Sequence, residues 1–102
     1  MIEVVRDGSR AVVKPGADVV ASLADELRAS FRAALGEGAT EITLDLAGVE
    51  MLDSVGLGLL IALHNSLTKK GGSLQVVNAS SEVKQLFKVM RLDQHFKVTA
   101  AT

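Results

Sequence analysis

"EITLDLAGVEMLDSVGLGLLIALHNSLTKKGGSLQVVN", residues 41–78, changes its hydrophobic period twice, and those two changes decide the fold. Over Glu41–Leu46 the apolar residues Ile42, Leu44 and Leu46 alternate with their neighbours, the period of a half-buried strand. After the short connection "AGVEML", Leu57, Leu60, Ile61, His64 and Leu67 recur at steps of three and four, which puts them on one face of a helix that stops at Gly71-Gly72. "LQVVN", Leu74–Asn78, then returns to a β-branched strand. A strand, a helix and a strand in this order predict a parallel pair joined by a right-handed crossover.

Upstream of this unit, "MIEVV" and "RAVVK" are two β-branched runs separated by "DGS", and Asp-Gly between such runs signals a hairpin. Pro15-Gly16 ends the second run. From Asp18 the residues Val20, Leu23, Leu27, Phe31 and Leu35 follow helical spacing, with Asp18 expected at the N-cap and Gly36 as the stop. Downstream, "SSEVKQLFKVM" predicts a third helix capped by Ser80 or Ser81, with Val83, Leu86, Phe87 and Met90 facing inward, and "HFKVT" supplies a last short strand. "MRLDQHF", residues 90–96, reads either as a helix end packed on the core through a polar turn or as a contact surface. The order β-β-α-β-α-β-α-β predicts an α/β fold, a mixed β-sheet with helices packed on it, in one domain over residues 1–102.

Composition removes several classes of function. The chain is 48% hydrophobic and 23% charged, ordinary globular usage. Eleven basic against twelve acidic residues leave a net charge of −1, so there is no basic field to hold nucleic acid or an anionic membrane. Three Phe with no Trp or Tyr give little stacking surface for single-stranded nucleic acid. The absence of Cys excludes a disulfide, a thiol nucleophile and a thiolate metal site. The charged N-terminal stretch does not resemble a signal peptide, and no run reaches the ~20 apolar residues of a membrane span, so a cytoplasmic protein is expected.

Catalytic and metal constellations are equally sparse. His64 and His95 fall on different predicted elements and lack the spacing of a helical metal pair, so no metal or cofactor is expected. "SVGLG" is not a nucleophile elbow, because Leu52 stands where its first glycine would be. "GLGLL" lacks the third glycine of a dinucleotide loop, and no phosphate-cradling Lys motif occurs. The chain is expected not to be an enzyme.

What remains is "LDSVGLGLL", residues 52–60, where two glycines open an otherwise good helix, each costing roughly 0.5–1 kcal/mol relative to Ala. Ser54 can cap that helix by accepting from the amide of Gly56 or Leu57. A cap does not explain the glycines. Small residues there open the helix end to another body, and a helix N-terminus with its unpaired N–H groups is a seat for an anion. A hydroxyl at that end is open to phosphorylation, which would add about −1.5 to −2 charge beside Asp53 and oppose protein contact by repulsion and desolvation. The residues alone leave both readings of Ser54 open.

The stretch from "LDLAGVEMLDSVGLG" through "GGSLQVVN" to "LF" resembles the STAS-domain anti-sigma factor antagonists, which carry an acidic strand end, D-S-[ST]-G-L-G, a helix, Gly-Gly, a strand and a helix. The resemblance covers residues 41 to 98 in register. It implies that Ser54 is the serine phosphorylated by a partner anti-sigma factor, a serine kinase of the histidine-kinase-like ATPase type, with Asp53 as the adjoining acid. It also implies that Val55, Gly56, Leu57 and Gly58 complete the partner-binding motif, that phosphorylation breaks the complex, and that a PP2C-type phosphatase resets it. Two departures stand out. Val55 replaces the usual second hydroxyl residue, and "KPGADVV" keeps only Gly16 and Asp18 of the family's G-E-L-D partner-contact loop. The alternatives are a STAS module of a chemotaxis-like or other multi-protein sensory complex, or a small-molecule or lipid sensor that never carries phosphate.

Overall fold

The computed structural model of the protein describes residues 2–101. Its elements are β1 (Glu3–Asp7), β2 (Arg10–Lys14), α1 (Ala21–Gly36), β3 (Glu41–Asp45), α2 (Ser54–Lys69), β4 (Ser73–Ala79), α3 (Ser81–Val89), a 3-10 turn (Leu92–Gln94) and β5 (Lys97–Ala100). The order is the one the sequence predicts. Met1, expected within the first strand, lies outside the described residues.

Asp7 pairs with Arg10 in the β1–β2 hairpin, leaving Gly8-Ser9 as a two-residue loop, the short connection that Asp-Gly favours. The sheet runs β1-β2-β3-β4-β5, with β1 antiparallel to β2 and every other pair parallel. Alternate strand residues Ala11, Val13, Ile42, Leu44, Leu74 and Val76 are buried under the helices. The opposite face stays open, and the register aligns Val5, Val12, Thr43, Gln75 and Lys97 across all five strands, each at least partly exposed. Arg6 ties the hairpin to the end of α1, donating from Nη1 to the Glu37 carboxylate at 2.9 Å and from Nη2 to the Glu37 carbonyl at 3.1 Å.

Three local expectations are corrected. Asp18 does not cap α1; that helix starts at Ala21 after an extended Val20 that makes no side-chain cap. Residues 18–20 are held extended because Val19 forms a parallel bridge to Leu52, which draws Asp18 away from the helix start. On α2 the buried face is turned toward α1: Leu59 and Leu63 are buried along with Leu57, Leu60 and Leu67, while Ile61 is 38% exposed and His64 half-buried. A helix packed against both a sheet and a neighbouring helix buries a wider sector than a single-faced one. Finally, Met90 points outward at 50% exposure. The chain leaves α3 at Val89 and turns left-handed at Arg91 (φ 59°), so Leu92 and Phe96 take the core positions beyond it. Within "MRLDQHF" the contact with the core is thus made by Leu92 of the 3-10 turn and by Phe96, not by the end of α3, with Arg91, Asp93 and His95 outside.

Candidate functional site

Two loops meet at the start of α2. The Val19 amide donates to the Met51 carbonyl at 3.0 Å and the Asp53 amide returns to the Val19 carbonyl at 3.3 Å, so the segment before α1 runs beside the segment before α2 as a short parallel ribbon. Asp18 locks it, its Oδ1 accepting from the amides of Glu50 at 2.9 Å and Met51 at 3.2 Å. Asp residues readily accept from nearby loop amides, and here the amides belong to the other loop.

The cap of α2 is Asp53, not Ser54. Asp53 Oδ1 accepts from the Gly56 amide at 2.9 Å, and Oδ2 reaches across to accept from the Ala21 amide at 2.9 Å at the start of α1. One carboxylate therefore satisfies orphan donors of two helices. The Gly56 amide, then the Ala21 amide, hold the Asp53 carboxyl below the ordinary carboxylate range, outweighing the opposing effect of burial. Because Asp53 does this work, Ser54 becomes the first helical residue. It is exposed, and its hydroxyl has no hydrogen-bond partner among the described residues.

The two glycines have separate explanations. A Cβ on Gly56 would overlap the Val19 carbonyl oxygen, so the ribbon itself demands glycine there. A Cβ on Gly58 would meet nothing within 4 Å. Nothing inside the chain requires Gly58, which leaves a bare spot on the solvent side of α2 one turn from Ser54.

Burial divides the motif. Gly56 and Leu57 face the core and Asp53 is half-buried, whereas Ser54, Val55 and Gly58 lie outside. Leu57, which the resemblance places in the partner-binding motif, has its side chain buried in the core. Met51, in the loop before α2, is 56% exposed, and Val55, in the first turn of α2, is 40% exposed. A single exposed Met in a loop carries no sequence signal of its own. Gly16 is exposed in the same loop as half-buried Asp18. Below the site, the Asp45 carboxylate at the end of β3 is raised by burial but pulled further down by bonds from Asn78 Nδ2 and the Ala47 amide, each 3.0 Å, and by Lys14.

His64 and His95 converge at the far end of α2, ring centroids 5.9 Å apart with Phe96 packed against His64. Among the described residues no set of three or more His, Asp or Glu gathers in the manner of a metal site, and no helix is long and apolar enough to cross a membrane.

A family model described as the Mlab, STAS domain matches residues 2–99. The chain belongs to the STAS-domain family. This STAS chain is 30% identical over 66 residues to the anti-sigma-B factor antagonist of Bacillus subtilis strain 168, covering 65% of this chain and 61% of that protein. The matches span 57% to 61% of the length of the first curated relatives. Among solved structures, the Thermotoga maritima protein TM1081 superposes with a TM-score of 0.89 at 21% identity, covering 96% of this chain and 85% of the other. The Bacillus cell fate determinant SpoIIAA, in its phosphorylated form, superposes with a TM-score of 0.78 at 17% identity, covering 96% of this chain and 90% of that one. These two likenesses establish the shared fold.

Proposed function

We propose that this chain is an anti-sigma factor antagonist: unmodified, it docks on a partner anti-sigma factor through the face formed by Ser54, Val55, Gly58 and Met51, and phosphorylation of Ser54 releases it. The observation that carries this reading is that Asp53 caps α2 and leaves the Ser54 hydroxyl exposed and unengaged. The bare Gly58 beside it supports a close external approach. Asp53, Gly56 and Leu57 shape this face from beneath, and the ribbon through Asp18, with Gly16 at its turn, sets its edge. The curated relatives are named for antagonism of an anti-sigma factor, and the fold is shared with a protein solved in a phosphorylated form.

In this scheme the partner is a serine kinase of the histidine-kinase-like ATPase type. Ser54 Oγ attacks the γ-phosphorus of the kinase's ATP, the Oγ–P bond forms as the bond to ADP breaks, and the hydroxyl proton passes to a base of the kinase. The product places a dianion next to the Asp53 carboxylate on an otherwise apolar face, where docking would have to desolvate both charges. A PP2C-type phosphatase restores the hydroxyl by hydrolysis. The chain itself acts as substrate and ligand without a cofactor.

Incubation with a cognate kinase and ATP, followed by intact-protein mass spectrometry, tests the reading. One phosphoryl group on Ser54, absent from Ser54→Ala, is expected. Phosphate elsewhere, or equal partner affinity for Ser54→Ala and Ser54→Asp, would overturn it.

A further inference from the structure

The shallow groove between α1 and α2, of about 200 Å³, has an apolar floor of Phe31, Leu59, Ala62 and Leu63 and a cationic wall of Arg28 and Arg32. The two arginines stand one turn apart on α1, a like-charge pairing that a helix by itself disfavours. Arg28 reaches back to Asp25 at 2.8 Å, while no ion pair of Arg32 occurs among the described residues. The facing wall contributes no compensating acid, because α2 carries no charged residue before Lys69. At the end of the groove Lys70 Nζ lies 2.8 Å from the Leu35 carbonyl, adding a third cation near the rim. The floor also continues the Ser54 face along α2, since Leu59 stands one turn beyond Val55 and Ala62 one turn beyond Gly58.

We infer that this groove is a second docking site, shaped for an amphipathic helix of a partner protein whose apolar stripe is flanked by carboxylates. The apolar floor takes the stripe and the unpaired guanidinium takes the acids, the division of labour of helix-in-groove recognition. An anionic lipid surface fits less well, because a net charge of −1 gives the chain no extended basic field beyond this wall. The inference rests on reading the adjoining Ser54 face as a protein-docking surface.

The test uses the full chain and a fluorescent, helix-forming peptide with a Leu stripe at i, i+3, i+4 and i+7 flanked by Glu, beside a twin flanked by Lys. In fluorescence anisotropy the Glu peptide is expected to bind about tenfold tighter than the Lys twin, with the difference shrinking as salt rises. The double variant Arg28→Glu/Arg32→Glu is expected to lose about that factor and Arg28→Lys/Arg32→Lys to keep most of it, with circular dichroism confirming that both fold. Equal binding of the two peptides, or no effect of the Glu variant, would overturn the assignment. Binding to phosphatidylglycerol vesicles but not to the peptide would overturn it in favour of lipid, and a dimer dissolved by Arg32→Glu would overturn it in favour of a second copy. Peptide binding is read on the unphosphorylated chain without a kinase, and phosphorylation of Ser54 is read by mass without the peptide, so the failure of this inference and that of the phosphorylation switch are separable.

Discussion

Asp53 and Ala21 are thirty-two residues apart in sequence, yet Asp53 Oδ2 accepts the Ala21 amide at 2.9 Å while its Oδ1 caps its own helix at Gly56. A single side chain thus fixes the starts of α1 and α2 relative to one another. The site's shape depends on both bonds, the one to Gly56 relieving Ser54 of capping and the one to Ala21 holding the two helix starts together.

Asp53→Ala should therefore lower the urea midpoint more than an ordinary single-helix cap loss, since it orphans donors on two helices. Asp53→Asn, whose one carbonyl oxygen can serve only one of the two amides at its best geometry, should fall between. Equal midpoints for Asp53→Ala and wild type would show that the shared cap does not stabilise the fold.

Ser54→Ala should leave stability within about 0.5 kcal/mol of wild type, because no hydrogen bond of the hydroxyl is lost. Chemical denaturation monitored by circular dichroism checks this. A loss of about 1 kcal/mol or more would mark Ser54 as a cap after all.

Gly58→Ala should stabilise α2 by about 0.5–1 kcal/mol, since the added methyl meets open space in a helical backbone. It should at the same time weaken partner binding, because the methyl stands on the proposed docking face. Gly56→Ala should instead destabilise by about 1–3 kcal/mol, as the methyl collides with the Val19 carbonyl and the ribbon must open. Thermal melts of the two variants shifting in the same direction would contradict the division of roles between the glycines.

The Asp53 carboxyl is held below its ordinary value by the Gly56 and Ala21 amides. A depressed folded-state pKa means that the unfolded chain takes up the proton first on acidification. The contribution is complete above the ordinary carboxylate range and is lost as the pH falls through that range to the lowered folded value. Asp45, lowered in the same direction, adds to the effect. Urea midpoints measured downward from about pH 6 should fall through the carboxylate range, and the fall should be shallower in Asp53→Asn. An unchanged slope in that variant would remove Asp53 from the acid response.

Phe87 is fully buried and packs edge-on to Phe96 at 6.0 Å between centroids. Phe87→Ala should cost about 3–5 kcal/mol by the cavity it leaves, loosening α3 and the turn that follows it. A loss under about 1 kcal/mol, read from denaturant unfolding, would mean that α3 contributes little to the core.

The residues of 41–78 announced their own secondary structure because strand and helix periods are local: Ile42, Leu44 and Leu46 declare one, and Leu57, Leu60 and Leu67 the other, whatever surrounds them. The same locality made the Asp7-Gly8 hairpin legible and singled out the Asp53–Gly58 stretch as the place where local cost exceeded local need. Errors arose where a partner distant in sequence competed for the same group. Asp18 has the chemistry of a helix cap, but the amides of Glu50 and Met51 claim it; Ser54 has that chemistry too, but Asp53, which also binds the distant Ala21 amide, takes the Gly56 amide.

By itself, then, the chain determined the order of its strands and helices and the position of the exposed hydroxyl motif, since both follow from spacing and from the intrinsic cost of Gly in a helix. Only the tertiary structure decided which of the two glycines is internal, which way α2 turns its buried face, and that Asp53 joins two helices. Those outcomes depend on where the Val19 carbonyl and the Ala21 amide arrive, and such meetings are set by loop paths and sheet register, which no local pattern encodes.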